Sequence, residues 1–472
     1  MVMETSRAAA RNASRERAAA PAPSLVPLRV QPQPRPANRI VFVSRFLRNP
    51  LLVIPRSAYE EDIVPYDRGS VPFAWVTEPG LIKSILLDEH EKFGKRVQIQ
   101  MLGPLLGNGI LTSEGPEWKW QRQTSAPMFR RQELGNFVPI FVRAARQVVE
   151  RWRRAGSGVR HQIERDMTRA TFDVICATLL PSGDASVGAT VEASTDRFQR
   201  SGAWHRLYII GNVPAWMPQP GRRAMRAATR SLRSAVADLV RARRNAASAP
   251  DDLMHRLMQA HDPDTGAPMN EEQLIDNLLT FYLAGHETTA MALTWTLYLL
   301  SLSPEWTSAL KSEVARVTGG APVAAEHIDK LVLTQQVLKE SMRVYPPVPM
   351  LSRQAIADIT IGGHAIKAGT SIVMPIYAIH RHHKRWRDPD VFDPTRFAPE
   401  NEAGISRYQY LPFGAGPRIC IGMAFAMIEA TAMLATLLQS ASFEPVAGHE
   451  PTPIARVTLH PKGGMPLKVW VD

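Results

Sequence analysis

Cysteine is scarce in this chain, which has 472 residues but only Cys176 and Cys420. Two thiols cannot build the disulfide framework of a small secreted protein, nor the cysteine set of an iron–sulfur cluster. The scarcity favours a reducing compartment, for which we expect the cytoplasm. It also leaves each lone cysteine as a candidate metal ligand or nucleophile.

The N-terminus lacks an apolar run long enough for a signal peptide or a membrane anchor. Residues 1–39 contain seven Arg against two Glu, together with six Pro among many Ala. Such a segment buries little apolar surface, so we expect a disordered basic tail over residues 1–39. An organelle transit peptide, which is also rich in Arg and poor in acids, is the weaker alternative.

A nucleic-acid recognition motif is also lacking, although the chain carries a formal net charge of +12. We therefore expect no nucleic acid partner. An acidic protein partner explains a basic surface equally well, because opposite charges speed the encounter of two proteins. Length alone would allow two or three domains.

The longest helix predicted from the sequence begins at Asn270, where Gln273 completes a capping box, and ends near Leu302. It would be about 48 Å long and would cross the whole molecule. Its apolar part, Leu278–Leu300, is long enough for a transmembrane span. However, the charged Glu287 lies at its centre, which favours a buried core helix with a polar interruption.

Strand patterns are short and lie apart from the helices, which dominate residues 80–350. Asp358–Met374 alternates apolar and polar residues around Gly362–Gly363 and predicts a hairpin. Residues 457–471 surround Gly463–Gly464 and predict a second hairpin at the C-terminus. The fold class expected is therefore mainly α with small β sheets.

The strongest chemical motif is residues 413–422, which read Phe-Gly-Ala-Gly-Pro-Arg-Ile-Cys-Ile-Gly. The glycines allow the backbone to approach a ligand closely. They deliver Cys420 to the N-terminus of an apolar helix expected over Met423–Leu438, where the helix dipole and the neighbouring Arg418 should lower the pKa of the thiol. A shielded and unpaired thiolate of this kind suits a haem iron.

Other interpretations of this segment are weaker. A dinucleotide-binding fingerprint would need glycine where Ile419 stands. A zinc site would need further ligands nearby, and a cysteine hydrolase would need a base that nothing local identifies. The basic run His380–Arg385 could also bind a metal, but we expect a solvated loop there.

Residues 413–422 resemble the haem-binding loop of the cytochrome P450 superfamily, Phe-x-x-Gly-x-Arg-x-Cys-x-Gly, at every fixed position. The resemblance implies that Cys420 is the fifth ligand of the iron of haem b, that Arg418 pairs with a haem propionate, and that the loop residues contact the cofactor. The loop residues assigned to cofactor binding are Phe413, Gly414, Arg418, Cys420 and Gly422.

A second motif, Ala284-Gly-His-Glu287-Thr288-Thr289, lies in the middle of the long helix. An acid beside a hydroxyl can relay protons to a buried site. The alternative is a threonine that bonds to its own helix carbonyl, beside a paired core acid. The segment resembles the oxygen-activating helix of the family. This implies that Ala284 lies against the haem and that Glu287 and Thr288 supply the protons for O–O cleavage.

Two further patterns match the family at the expected points in the chain. Glu340 and Arg343, with Arg396, resemble its buried Glu–Arg–Arg network, although Thr395 stands where the family usually has an acid. We expect this network to hold the segment before the haem loop in place. Trp118 and Arg122 lie one helical turn apart and suit a carboxylate, and like Arg353 they match residues that contact the haem propionates.

The resemblance covers the chain from about residue 40 onward and implies one large catalytic domain over 40–472, with the long helix crossing above the haem. It indicates a soluble, bacterial-type member without a fused reductase. Such an enzyme inserts one atom of O2 into a substrate, with electrons from an acidic ferredoxin or flavodoxin and its NAD(P)H reductase. The alternatives are a peroxide-driven peroxygenase and a non-catalytic haem sensor or carrier.

The substrate cannot be identified from the sequence, but the expected pocket lining is apolar and predicts a lipophilic small molecule. The segments expected to line the pocket are Val97–Leu111, Phe198–Ile210, Leu279–Thr288, Val348–Leu351 and Gly463–Met465.

Overall fold

The structure is a computed structural model that describes residues 25–34, 38–66, 72–179, 205, 208–209, 213–214, 216–245, 252–262 and 265–472. Helices dominate it, and short sheets lie at its edges. The predicted fold class, mainly α with small β sheets, is confirmed. Across the described residues, no helix combines the length and hydropathy that a bilayer span requires.

The α-helices pack around one long helix, α10. In chain order they are α1 (Arg39–Arg48), α2 (Pro79–Lys83), α3 (Arg96–Leu106), α4 (Gly115–Ser125), α5 (Arg131–Leu134), α6 (Val138–Ala155), α7 (Ile163–Leu179), α8 (Arg222–Arg244), α9 (Leu253–Met258), α10 (Glu271–Ser301), α11 (Pro304–Thr318), α12 (Ala325–Ile328), α13 (Val332–Val344), α14 (Ile376–Ile379), α15 (Pro399–Glu402) and α16 (Met423–Leu438). The large apolar core lies between α6, α7, α10, α13 and α16.

The strands form four small sheets. They are β1 (Ile63–Tyr66), β2 (Phe73–Val76), β3 (Phe93–Gly94), β4 (Val159–Gln162), β5 (Leu351–Ala355), β6 (Ile359–Ile361), β7 (His364–Ile366), β8 (Ser371–Met374), β9 (Ala441–Pro445), β10 (Thr452–Ala455), β11 (Leu459–Lys462) and β12 (Pro466–Val471). The five-stranded sheet has the order β1-β2-β8-β5-β3 and covers a second, smaller apolar core.

The long helix α10 has the start that the sequence predicts. The Asn270 side chain accepts a hydrogen bond from the Gln273 backbone, and the Gln273 side chain accepts one from the Asn270 backbone, so the capping box is complete. The helix ends at Ser301, with Leu302 as its C-cap. From Ala290 to Ser301 the residues of this helix are buried, as expected for a core helix.

The two predicted hairpins have different outcomes. β6 and β7 pair across Gly362–Gly363, as predicted. The C-terminal hairpin is wrong in its pairing, because β11 pairs with β10 while β12 pairs with β9 and β4. The turn at Gly463–Gly464 therefore joins two different sheets, a long-range choice that local alternation does not encode.

Part of the predicted disordered tail is packed against the folded body. The Leu28 carbonyl accepts a hydrogen bond from the Tyr345 hydroxyl, and the buried Val30 donates its N–H to the Tyr377 hydroxyl. The expectation of disorder is therefore wrong for residues 25–34, which are held by buried tyrosines far along the chain. The other residues of the expected tail lie outside the described residues, apart from Asn38 and Arg39.

Candidate active site

Residues 413–422 form a tight loop that ends at the start of α16. The Cys420 N–H donates to the Phe413 carbonyl at 2.9 Å, which closes the loop. Gly414 and Gly416 have positive φ angles of 70° and 71°. A Cβ on Gly416 would lie 1.9 Å from the Leu86 carbonyl oxygen, so only glycine fits there. Gly422 is the N-cap of α16.

Cys420 faces a cavity of about 620 Å³. Burial raises the pKa of the Cys420 thiol, and the Gly422 backbone hydrogen bond and the Arg122 guanidinium only partly oppose this effect. The sequence predicted that the helix N-terminus and Arg418 would lower the pKa of this thiol. In the structure the direction is the opposite. Desolvation of the thiolate outweighs the nearby positive groups.

Among the described residues, six cationic residues line the same cavity, and four of them interact electrostatically with one another, namely Lys95, Arg122, Arg353 and Arg418. Burial, with added repulsion from Arg418, lowers the pKa of Arg353 to about 10. The pKa of Lys95 is also held well below its usual value, by burial first and then by Arg418 and Arg353. Glu114 is the acid whose charge partly offsets this cluster.

The cationic side chains are fixed mainly by backbone carbonyls. Arg418 donates to the Ser113 carbonyl at 2.8 Å, and its guanidinium lies 4.1 Å from the centre of the Trp118 ring. Arg122 donates to the Ile419 carbonyl at 2.7 Å. Because neutral acceptors do not cancel these charges, the wall is suited to an anionic ligand with more than one negative group.

The middle of α10 also lines the cavity, through Ala284 and Thr288. The Thr288 hydroxyl donates to the Ala284 carbonyl at 2.7 Å. Gly285 faces the neighbouring helix, because a Cβ there would lie 2.6 Å from the Ile175 side chain of α7. Glycine at this position therefore allows the two helices to pack closely.

Glu287 also lines the cavity, but its carboxylate lies against the C-terminal segment of the chain. Its Oε1 atom is 2.8 Å from His460 Nε2 and accepts a hydrogen bond from the Thr458 hydroxyl at 3.0 Å. The second ring nitrogen of His460, Nδ1, lies 2.8 Å from Glu164 Oε1. Glu287 is thus joined to a residue of α7 through a histidine.

The cavity lining agrees with most of the predicted segments. Residues of Val97–Leu111, Leu279–Thr288 and Val348–Leu351 line it, and so does Ile209. Residues 198–204 lie outside the described residues. The prediction of Gly463–Met465 is wrong, because residues 456–458, which precede that segment in the chain, line the cavity instead.

A family model described as cytochrome P450 matches residues 39–467, nearly the whole chain. The chain belongs to the cytochrome P450 family. Its relatives include a cytokinin hydroxylase from Arabidopsis thaliana, 32% identical over 84% of this chain and 79% of the relative. An 11-oxo-beta-amyrin 30-oxidase from Glycyrrhiza uralensis is 31% identical with the same coverage. Both are plant proteins, whereas the sequence motifs suggested bacterial-type members.

A solved structure supports the same assignment. The crystal structure of the cytochrome P450DA heme domain has a TM-score of 0.81 and is 26% identical, covering 93% of this chain and 97% of that one. Members of this family are haem-thiolate monooxygenases, and the cofactor is haem b. The unbalanced cationic wall beside Cys420 fits this group, whose two propionates would supply the missing negative charge.

The P450 network of Glu340, Arg343 and Arg396 comes together as the sequence indicates. Arg343 and Glu340 are fully buried and form two hydrogen bonds, of 2.7 and 2.8 Å. Arg343 also donates to the carbonyls of His380, Pro389 and Val391. Arg396 lies 3.5 Å from Glu340 Oε1. The network thus ties α13 to the segment that precedes the haem loop.

Thr395 does not break this network. Its hydroxyl and its backbone N–H both bond to the Asp393 carboxylate, two residues earlier. Asp393 in turn donates its backbone N–H to Glu340 Oε1 at 2.8 Å. The acid expected at position 395 is therefore replaced by a local turn that still reaches Glu340.

The solvated loop expected at 380–385 is wrong for its first half, because His380, Arg381 and His382 are buried, whereas His383 and Lys384 are exposed as expected. Burial lowers the pKa of His380 to about 3, so the ring is neutral and its Nε2 accepts the Leu411 N–H at 2.8 Å. In the described part of the chain, no group of three or more His, Cys, Asp or Glu side chains could hold a metal ion.

No sequence motif pointed to Lys95, Glu164 or His460. Each belongs to the site through contacts with residues far away in the chain, such as the contact of Glu164 with His460. No local motif surrounds any of them. The spacing of residues in the sequence therefore could not identify them as site residues.

Proposed function

We propose that this P450 monooxygenase inserts one oxygen atom of O2 into a lipophilic small molecule, by hydroxylation or epoxidation, with electrons from separate redox proteins. The observation that supports this most directly is one cavity that is lined both by Cys420 and by the Glu287–Thr288 segment of α10. A thiolate ligand and a proton source then face the same enclosed space.

The haem would be held by Cys420 at its iron and by cationic residues at its propionates. Arg418, Arg353, Arg122 and Lys95 are placed for this role, with Trp118 beneath the Arg418 guanidinium. Phe413, Gly414 and Gly422 shape the loop, and Ala284 offers a small side chain in the cavity lining. When bound, the haem iron supplies the reductive activation of O2.

Glu287 and Thr288 would supply the protons that this reaction consumes. The Thr288 hydroxyl lies at the cavity wall and can donate to an oxygen atom there if its bond to Ala284 is released. Glu287 Oε1 lies beside His460 Nε2, from which it can accept a proton and pass it on. These two groups support turnover with O2, because a haem carrier or sensor needs no proton source.

The substrate is expected to be lipophilic because the lining is largely apolar, with residues such as Leu102, Leu105, Phe129 and Phe281. The names of two relatives suggest a cytokinin and 11-oxo-beta-amyrin as first test compounds. Each would be titrated into the ferric protein while the Soret band is followed. A shift that saturates, and that an excess of a polar compound of similar size does not reproduce, supports a lipophilic substrate.

The redox partner proposed is an acidic ferredoxin or flavodoxin with its NAD(P)H reductase, and the location proposed is the cytoplasm. The formal net charge of +12 supports an acidic partner. The test of the function is NADPH-dependent O2 uptake by the holoenzyme with such a pair, together with product analysis. Product with NADPH and O2 supports a monooxygenase. Product only with peroxide would indicate a peroxygenase, and haem binding without product would indicate a sensor or carrier.

A further inference from the structure

Three ionisable side chains lie in a row that leads from α7 to the cavity. Glu164 lies in the first turn of α7, His460 lies in β11, and Glu287 lies in the middle of α10. His460 is in contact with both carboxylates, at 2.8 Å from each. We propose that Glu164 and His460 form, with Glu287, a pathway that carries protons from the protein surface to the cavity. This proposal rests on the proposed monooxygenase function.

The solvent exposure of the three side chains differs along this row. The Glu164 side chain is 21% exposed, whereas His460 is 8% exposed and Glu287 is 12% exposed. Glu287 and Thr458 line the cavity, and Thr458 donates to Glu287 Oε1. Glu164 is therefore the member most open to solvent, and Glu287 is the member that faces the reaction.

The imidazole of His460 has the charge environment of a proton carrier. The charged groups that face it are Glu164 from α7 and Glu287 from α10, and the Thr458 hydroxyl lies 2.9 Å from its Nε2. Burial alone would lower the pKa of His460, but its hydrogen bonds to the two carboxylates outweigh burial and raise it. The ring can therefore hold a proton near neutral pH and exchange it.

The transfer moves one proton and no electrons. Protonated His460 releases the proton on Nε2 to Glu287 Oε1, so that an N–H bond breaks and an O–H bond forms. Glu287 then passes that proton into the cavity. A half-turn of the neutral ring brings its remaining N–H toward Glu287 and its free nitrogen toward Glu164, which delivers the next proton from solvent. His460 acts through Glu287 and is therefore a positioning residue.

A purely structural tie between α7, β11 and α10 is the competing explanation. Gln at position 460 or 164 can keep a hydrogen bond but cannot carry the proton. His449 offers a matched control, because it lies in the same C-terminal region and its Nε2 contacts only a backbone carbonyl, that of Gly464, at 3.1 Å. His449→Gln should leave proton delivery unchanged.

The first measurement is independent of turnover. In the ferrous carbon monoxide form of the holoenzyme, which is diamagnetic, ¹³C-labelled histidines are titrated by NMR, and His460 is assigned by its absence in His460→Gln. We expect its midpoint above the ordinary value of about 6.5 and a lower midpoint in Glu164→Gln. A midpoint that Glu164→Gln does not move would contradict the role of Glu164.

The second measurement is product formed per NADPH as a function of pH, with the cytokinin or the 11-oxo-beta-amyrin of the Soret titration, whichever forms product. In the wild type this coupling should fall as pH rises through the NMR midpoint, because His460 loses its proton. The curve should move to lower pH in Glu164→Gln. In His460→Gln the coupling should drop several-fold at neutral pH, with hydrogen peroxide released instead, while the reduced carbon monoxide spectrum persists.

The outcomes separate this proposal from the proposed function. If His460→Gln and Glu164→Gln form product with the coupling and pH profile of the wild type and of His449→Gln, the pathway is refuted and the monooxygenase function stands. If the wild type forms no product from either compound with NADPH and O2, the quantity compared is the ratio of hydrogen peroxide to water formed from O2 per NADPH oxidised. An identical ratio in His460→Gln would then overturn the pathway.

Discussion

The Thr288 hydroxyl donates to the Ala284 carbonyl at 2.7 Å, one turn earlier in α10. This is the back-bond that many helical threonines make. The same hydroxyl lines the cavity that Cys420 faces, so it is placed both to close a helix hydrogen bond and to donate a proton into the cavity. The geometry alone is compatible with both roles, and a substitution separates them.

Replacing Thr288 by Ala should leave haem binding and the reduced carbon monoxide spectrum intact, because this side chain is not a ligand. NADPH and O2 consumption should continue, but product per NADPH should fall and hydrogen peroxide should rise. A positioned proton donor contributes about 10²–10⁴-fold to a rate, so the loss of coupling should be large. The measurement is the ratio of product and peroxide to NADPH.

Thr288→Ser is the matched control, since it retains the hydroxyl and should keep most of the coupling. Peroxide added directly should partly restore product in Thr288→Ala. If the coupling in Thr288→Ala equalled that of the wild type, the Thr288 hydroxyl would have no role in proton delivery and would serve only its hydrogen bond within the helix.

Replacing Cys420 by Ser should abolish the reduced carbon monoxide band typical of the family, because an alcohol cannot supply the electron-rich thiolate. Cys176 provides the control. It lies half-buried on α7, and burial raises the pKa of its thiol to about 11. Cys176→Ser should therefore keep the band. If Cys176→Ser lost the band and Cys420→Ser kept it, the iron ligand would be Cys176 and not Cys420.

The haem loop and α10 could be predicted from the sequence because their signals are local. The loop at 413–422 needs glycine at fixed positions, and α10 begins at a capping box formed by residues three apart. Trp118 and Arg122 lie one turn apart on α4, and both reach the cavity. In each case a short stretch of chain determines where its side chains point.

The remainder depends on pairings between distant segments. β12 could have paired with β11 across Gly463–Gly464, but it joins β4, about 300 residues earlier in the chain, and β9. The first three residues of the basic run, His380–His382, are buried, and Arg343 and Leu411 bond to the backbone and side chain of His380. Neither pairing leaves a periodic signal in the sequence.

Electron transfer from an acidic partner should slow as salt rises, because the Debye length falls below about 10 Å above 0.1 M. Arg130 and Arg131 are candidate contacts for such a partner, because α5, which begins at Arg131, packs against α16, the helix that follows Cys420. Arg131 forms an exposed ion pair with Asp329, which offsets its charge. Arg130→Ala should therefore slow reduction at low salt more than Arg131→Ala does.

Stopped-flow reduction of the ferric enzyme by an acidic ferredoxin, at several salt concentrations, measures this effect. The two variants should converge with the wild type at high salt. Reduction rates that do not change from low to high salt would rule out electrostatic docking.

Glu429 of α16 is fully buried, and burial raises the pKa of its carboxyl from 4.5 to about 8, with the Thr289 hydroxyl partly opposing this effect. Between these two pH values the folded protein keeps a proton that the unfolded chain has released. Stability conferred by the neutral carboxyl is therefore complete below about pH 4.5 and is lost as pH rises through about 8.

Glu429→Gln is neutral at every pH and should not show this decline. Relative to the wild type, its free energy of unfolding should rise between pH 5 and pH 8, by on the order of a few kcal/mol at the upper end. Urea unfolding of the ferric holoenzyme across this range measures the difference. Glu326→Gln, at an exposed position of α12, should leave the pH dependence unchanged. If the curves of Glu429→Gln and the wild type run parallel, the Glu429 carboxyl is ionised in the folded protein, and a cation or water must then reach it beside Thr289.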